Sequence, residues 1–265
     1  MPLVFAAITP HPPVLIPEIG KENVSKLVKT KSAMEKLERE LYASKPESLL
    51  IISPHGKVMA DDFTINLAAD YTVHFQEFGD FGLELKFRSD YRSIQQIRAA
   101  DEGQRGVPLV LSSTTEIDHG FGVPLHYLTS HQNQLPIIPV TSAASSLEQH
   151  FAFGKFLHRQ LSSIDKRFAV VASADLSHRL TQDAPGGYSK RGSEFDKKLV
   201  SLVKKNDVAA ILKFDRALAE EAGECGLRPI AMLLGILEAV NVSVEALSYE
   251  RPFGVGYLVA NFKFS

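Results

Sequence analysis

The chain has 265 residues, 45% hydrophobic and 23% charged, a globular composition with enough length to bury a substantial core. Lys plus Arg number 29 against 31 for Asp plus Glu, and nothing in that net charge of -2 suggests a nucleic-acid or membrane-surface partner. The sole cysteine, Cys225, excludes an internal disulfide and points to the reducing cytoplasm, and apolar runs fall short of the ~20 residues of a spanning helix.

Leu3–Ile8 reads as a strand, apolar on nearly every residue, as expected where both faces of a sheet are covered. It runs into Thr9-Pro10-His11-Pro12-Pro13, whose prolines leave His11 little backbone freedom and break the N-terminal run too early for a signal peptide. Lys21–Lys45 is helical, with apolar residues at Val24, Leu27, Val28, Met34, Leu37 and Leu41. Ser48–Ile52 is a second buried strand, leaving through Ser53-Pro54-His55-Gly56, so the first pattern recurs: apolar run, proline, histidine.

Phe63–Leu67, Tyr71–Phe78 and Leu83–Phe87 alternate and read as a small antiparallel insertion. Asp90 can cap a helix to about Asp101, and Val107–Leu111 is the next buried strand, leading to Asp118-His119. A helix from about Pro124 to Gln132, a strand at Pro136–Val140 and a helix at Ser145–Leu161 follow. Phe168–Ala174 is a buried strand with the exit Asp175-Leu176-Ser177-His178. The remainder reads as helices at about Ser189–Lys205, Asp207–Phe214, Asp215–Glu221 and Pro229–Val240, then strands Val242–Tyr249 and Gly254–Phe262. Strands alternating with helices predict an α/β fold: one domain over residues 1–265 with a central mixed, largely parallel sheet.

His11, His55 and His178 each lie just beyond a strand's carboxyl end, and His119 follows another after a short loop. Open α/β sheets bind ligands in the crevice outside those ends. His74, His131, His150 and His158 lack that setting and read as surface or structural. Among the acids, Asp118 and Asp175 stand near the same edge, and Glu224 sits in the short loop Gly223-Glu224-Cys225-Gly226 before the most apolar helix. Two imidazoles and one carboxylate on one face of a metal describe the triad of non-haem Fe(II) oxygenases, and zinc hydrolases use similar ligands. Further histidines suit acid–base work near neutral pH. No phosphate-cradling glycine loop, G-x-S-x-G elbow or cysteine cluster is present.

Five segments carry a resemblance: TPHPPVLIPEIG at Thr9–Gly20, SPHG at Ser53–Gly56, DHGFGVPL at Asp118–Leu125, SADLSH at Ser173–His178 and GECGLRPI at Gly223–Ile230. In this order, over almost the whole chain, the sequence resembles the class III extradiol ring-cleaving dioxygenases of catalytic B-subunit type and the related Memo-like proteins of the AmmeMemoRadiSam group. The resemblance implies His11, His55 and Glu224 as ligands of Fe(II), His178 as the acid–base residue, and His119 in contact with substrate and oxygen. It implies O2-dependent opening of a catechol-type ring, and a homo-oligomer or a partner subunit. Memo-like members carry a cysteine near the third-ligand position, which makes Cys225 the alternative third ligand, zinc or another divalent metal the alternative to iron, and metal binding without ring cleavage the alternative function. Neighbouring residues point about 100° apart on a helix or to opposite sides of a strand, so one metal would take Glu224 or Cys225, not both. Arg228 can pair with Glu224 or with a substrate carboxylate, Lys57 and Tyr188 stand as candidates for the pocket mouth, and His126 has a supporting place on the helix after His119.

Overall fold

The computed structural model describes residues 2–104 and 108–265. Its elements follow in the order β1 (Leu3–Thr9), α1 (Pro17–Gly20), α2 (Val28–Ser44), β2 (Ser48–Ser53), β3 (Phe63–Asn66), β4 (Asp70–His74), β5 (Glu84–Arg88), α3 (Tyr91–Gln104) and β6 (Leu109–Ser112). Then come α4 (His119–Leu128), β7 (Ile137–Thr141), α5 (Leu147–Ser163), β8 (Phe168–Ser173), α6 (Lys190–Lys204), α7 (Val208–Leu212), α8 (Arg216–Ala222), α9 (Leu227–Leu237), β9 (Val242–Glu250) and β10 (Tyr257–Phe264). Val107, expected to begin a strand, lies outside the described residues.

Eight strands form one mixed sheet in the order β6-β3-β7-β2-β8-β1-β10-β9, and β4 and β5 make a separate antiparallel pair. The middle four strands, β7, β2, β8 and β1, are mutually parallel. Their near-continuous apolar runs are explained by two cores, one on each face. Ala6, Ile8, Leu50, Ile52, Val170 and Ala172 point into one core, and Phe5, Ala7, Leu49, Ile51, Ala169 and Val171 into the other. At about 25 cal/mol per Å2 of apolar surface, such two-sided burial is the main stabilising term of the sheet. On the first face α5 and α9 pack backbone to backbone: a Cβ on Gly154 would stand 2.1 Å from the Met232 carbonyl oxygen. Among the described residues no helix is long and apolar enough to cross a membrane.

Two local expectations change. Phe63–Leu67 was expected in the antiparallel insertion, but Phe63–Asn66 joins the main sheet, parallel to β6 and antiparallel to β7. Its Phe-Thr-Ile-Asn alternation imitates a half-exposed strand, yet Thr64 and Asn66 are buried and donate to the Lys57 and Thr114 carbonyls. The helix expected from Pro124 begins instead at His119, because Asp118 caps it by accepting the Gly120 N–H at 2.8 Å. Pro124 then falls inside the helix.

Candidate metal centre and active site

The carboxyl ends of β1, β2 and β8 open on one edge of the sheet. His11, His55 and His178 follow these three ends. The strand before His119, β6, runs against the central four, so its exit does not share their edge; His119 arrives on the first turn of α4.

His11 is 1% exposed and is fixed from two sides. Its backbone N–H donates to Asp175 Oδ1 at 2.9 Å, and its Nδ1 lies 2.8 Å from Ser173 Oγ. The Ser173 hydroxyl gives its proton to the Gly120 carbonyl. That carbonyl is free for it because the residue four positions on in α4 is Pro124, which has no N–H to donate. Ser173 Oγ therefore accepts from His11 Nδ1–H, which leaves His11 Nε2 with its lone pair available.

His11 Nε2 meets His55 Nε2 at 3.1 Å and Cys225 Sγ at 3.6 Å. Among the described residues, His11, His55 and Cys225 form a group of donor atoms all within 4.8 Å of one another. Burial lowers the pKa of both imidazoles, furthest for His11, where His55, His119 and His178 add to the effect. Both rings are thus neutral at pH 7, the protonation state a metal requires. Two imidazole nitrogens so close need a shared proton or a common cation, and each can stand about 2.0–2.1 Å from one ion. The donor set fits a first-row divalent metal. Burial raises the Cys225 thiol well above its ordinary pKa, with Asp175 and Glu224 adding to the rise, so metal entry would displace a proton from sulfur.

Cys225 Sγ also donates to the Asp175 carbonyl at 3.5 Å, so Asp175 braces His11 with its side chain and Cys225 with its backbone. Asp175 Oδ2 is 3.8 Å from His11 Nε2, and burial lifts its pKa to about 7. Glu224, expected as a ligand, faces another way. Its Oε2 accepts the Leu227 N–H at 2.7 Å at the start of α9, and its side chain lines a separate cavity. Burial raises its pKa to about 7.

The His119 ring lies near both imidazoles, tilted against His55 with centroids 4.9 Å apart and edge-on to His11 at 5.7 Å. This needs a close approach of α4 to β2, since a Cβ on Gly120 would lie 2.4 Å from Ser53 Oγ and 3.0 Å from His55 Cδ2. Burial and the neighbouring His55 bring the His119 pKa down to about 4. His178 donates Nδ1–H to the Gly223 carbonyl at 2.8 Å, which leaves Nε2 as a free acceptor, and burial lowers its pKa. Beyond His119 a cavity of about 490 Å3 opens, walled by Gly56, Lys57, His74, Phe78 and Asp118 among others. Phe78 stands edge-on to His119 at 4.9 Å.

Of the side candidates, Lys57 lines this cavity, Tyr188 is 55% exposed and is not among its walls, and Arg228 lies at the other cavity with Glu224. His126 packs against Tyr127 in the last turn of α4. His131, His150 and His158 bond Glu38, the Ser146 carbonyl and the Ile236 carbonyl. His74, read as structural, shares the wall of the first cavity. Sequence reasoning did not single out Ser173 or Phe78. The serine that ends a buried strand beside a histidine exit was the available signal for the first, and nothing marked the second.

Residues 5–260 match the family described as the catalytic LigB subunit of aromatic ring-opening dioxygenase. The chain belongs to that family. Among its relatives, this LigB-type chain is 31% identical over 259 residues to Protein CA_C1420 of Clostridium acetobutylicum, covering 94% of this chain and 55% of that protein. It thus spans about half the length of that relative. A 2-aminophenol 1,6-dioxygenase alpha subunit from a Pseudomonas species is 24% identical over 99% of both chains. A solved structure of the uncharacterized Escherichia coli K12 protein JW3007 superposes with a TM-score of 0.67 at 12% identity, covering 98% of this chain and all of that one, a likeness of fold.

Proposed function

We propose that this LigB-type chain is an Fe(II)-dependent extradiol dioxygenase that opens a catechol-type ring with O2 in the cytoplasm. His11 and His55 would hold the metal, with Cys225 as third donor rather than Glu224. The observation that carries the reading is the meeting of His11 Nε2, His55 Nε2 and Cys225 Sγ within 4.8 Å at the edge where the parallel strands end. When bound, Fe(II) supplies the redox chemistry that lets an electron-rich ring react with O2.

The chain's own residues do the rest. His178 is neutral at pH 7 and its Nδ1–H is committed to Gly223, so Nε2 takes the proton of a substrate hydroxyl and later returns it. His119 is neutral too, and stands between the donor group and the cavity, where it hydrogen-bonds substrate oxygen. The Phe78 ring gives the aromatic substrate a wall, and 490 Å3 is ample for one substituted ring. The relative named as an alpha subunit supports a partner subunit, and its name makes 2-aminophenol a second ring to test.

A second reading draws on the thiol. Carboxylate suits Fe(II) in oxygen-activating sites, whereas thiolate also suits zinc and Cu(I), and Glu224 is turned to another cavity. That favours a Memo-like metal-binding protein without ring cleavage, acting with partners. The test is to load the protein with Fe(II) without air, add catechols and 2-aminophenol, and admit O2. The first reading expects a yellow ring-opened product and one O2 consumed per ring; tight iron binding without turnover on any of them would give the second.

A further inference from the structure

On the far side of the Gly223–Gly226 loop lies a second cavity of about 540 Å3, and it shares no wall residue with the first. It is formed where α5 and α9 begin, against α7 and α8. One wall is apolar, made of Leu147, Leu212, Phe214 and Leu227. The polar side holds the Arg228 guanidinium, and polar atoms without partners lie at or near its walls. The Arg228 side chain, exposed on the first turn of α9, feels Glu224 and His150 but has no hydrogen bond or ion pair among the described residues. Ser145 Oγ is buried without a partner. His150, which is not a wall residue, feels Arg228 and keeps a buried Nε2 without a hydrogen-bond partner.

The acidic residues around the cavity are otherwise engaged. Glu220 is 2.7 Å from the Arg216 guanidinium, and Glu224 spends Oε2 on the Leu227 amide. Glu148 sits in the first turn of α5, where the helix N-terminus favours a negative charge. A guanidinium without an ion pair, in a cavity that also has an apolar wall, matches a carboxylate attached to a hydrophobic body, because a guanidinium can take both carboxylate oxygens at once. The volume falls in the range of small-molecule sites.

We propose that this cavity binds a small organic carboxylate with an apolar body, its carboxylate on Arg228 and its body against Leu212, Phe214 and Leu227. The site abuts the metal centre through one loop. Glu224 faces the cavity, while the neighbouring Gly223 carbonyl accepts from His178 and the Cys225 thiol reaches His11. Occupancy is therefore readable at His178, a residue that does not line the cavity.

The experiment is calorimetric titration of the metal-free protein with benzoate and, separately, with benzylamine. Benzoate is expected to bind and benzylamine not to. Arg228→Gln should weaken benzoate at least about tenfold, as loss of a charge-assisted pair does. Lys57→Gln, which alters the cation of the first cavity, should leave benzoate affinity unchanged. Ala219→Phe, which fills the second cavity, should abolish binding, and this guards against a misfolded Arg228 variant. In wild type, benzoate should shift the His178 ring resonances, and in Arg228→Gln it should not. The proposal is overturned by no benzoate binding to wild type, by equal binding of benzylamine, or by binding that survives Ala219→Phe or is undiminished in Arg228→Gln, whatever Lys57→Gln does. None of these outcomes depends on whether the loaded enzyme opens rings.

Discussion

Replacing Cys225 by Ala, and separately Glu224 by Gln, separates the two possible third donors. Cys225 Sγ lies 3.6 Å from His11 Nε2, so its loss leaves two imidazoles, 3.1 Å apart, as the remaining donors of the group. Four-ligand structural zinc sites bind with about 10–16 kcal/mol, or roughly 3 kcal/mol for each ligand. At 1.4 kcal/mol per factor of ten, Cys225→Ala should weaken metal binding on the order of 100-fold. Gln at position 224 keeps a carbonyl oxygen for the Leu227 N–H and gives up only the negative charge at the start of α9. Because burial already disfavours the carboxylate charge there, that substitution should leave stability at pH 7 unchanged or slightly raised and change metal affinity less than about threefold. The assay is anaerobic competition against a chromophoric chelator, with a Co(II)-loaded sample whose thiolate charge-transfer band should vanish in the Cys225 variant. Retained affinity in Cys225→Ala together with loss in Glu224→Gln would refute the reasoning and restore the carboxylate.

Three further outcomes follow from the same geometry. Ser173→Ala removes the acceptor of His11 Nδ1–H and frees the ring to change tautomer, so metal affinity should fall about 10–100-fold while the secondary structure seen by circular dichroism is unchanged. The apo thiol is protonated, because its pKa is raised, and the metal takes the thiolate; binding thus releases one proton, and affinity should rise about tenfold per pH unit from pH 7 to 9. The imidazoles, already neutral, add nothing to that slope, whereas a Glu224 ligand, titrating at about 7, would let affinity level off above pH 8 in the same titration. His178→Ala should lower turnover of a catechol by about 100-fold or more and leave metal affinity within about threefold, checked by oxygen-electrode kinetics beside chelator competition.

The parallel core was legible because both of its faces are buried: Leu3–Ile8, Ser48–Ile52 and Phe168–Ala174 are apolar without alternation, and a strand of that kind has few other readings. The histidine exits after them followed directly. Alternation misled at Phe63–Asn66, where burial of Thr64 and Asn66 depends on carbonyl partners supplied by distant loops. Two start signals competed before α4; the Asp118 cap prevailed over Pro124, and the proline then served to free a carbonyl for Ser173. That link runs through three separate elements and leaves no spacing in the sequence. Sequence geometry did indicate that Glu224 and Cys225 point apart. Which of them faces His11 depends on how α8 turns into the loop, with Gly223 in the left-handed region at φ 60°, and on the Asp175 carbonyl waiting for the thiol. A single chain carries no local mark of that rotation.

X-ray absorption at the iron edge of the anaerobically Fe(II)-loaded protein addresses the centre most directly. One sulfur neighbour at about 2.3 Å is expected together with imidazole nitrogens at about 2.0–2.1 Å, the distances usual for zinc-type sites with these donors. A shell of nitrogen and oxygen without sulfur would contradict a Cys225 ligand.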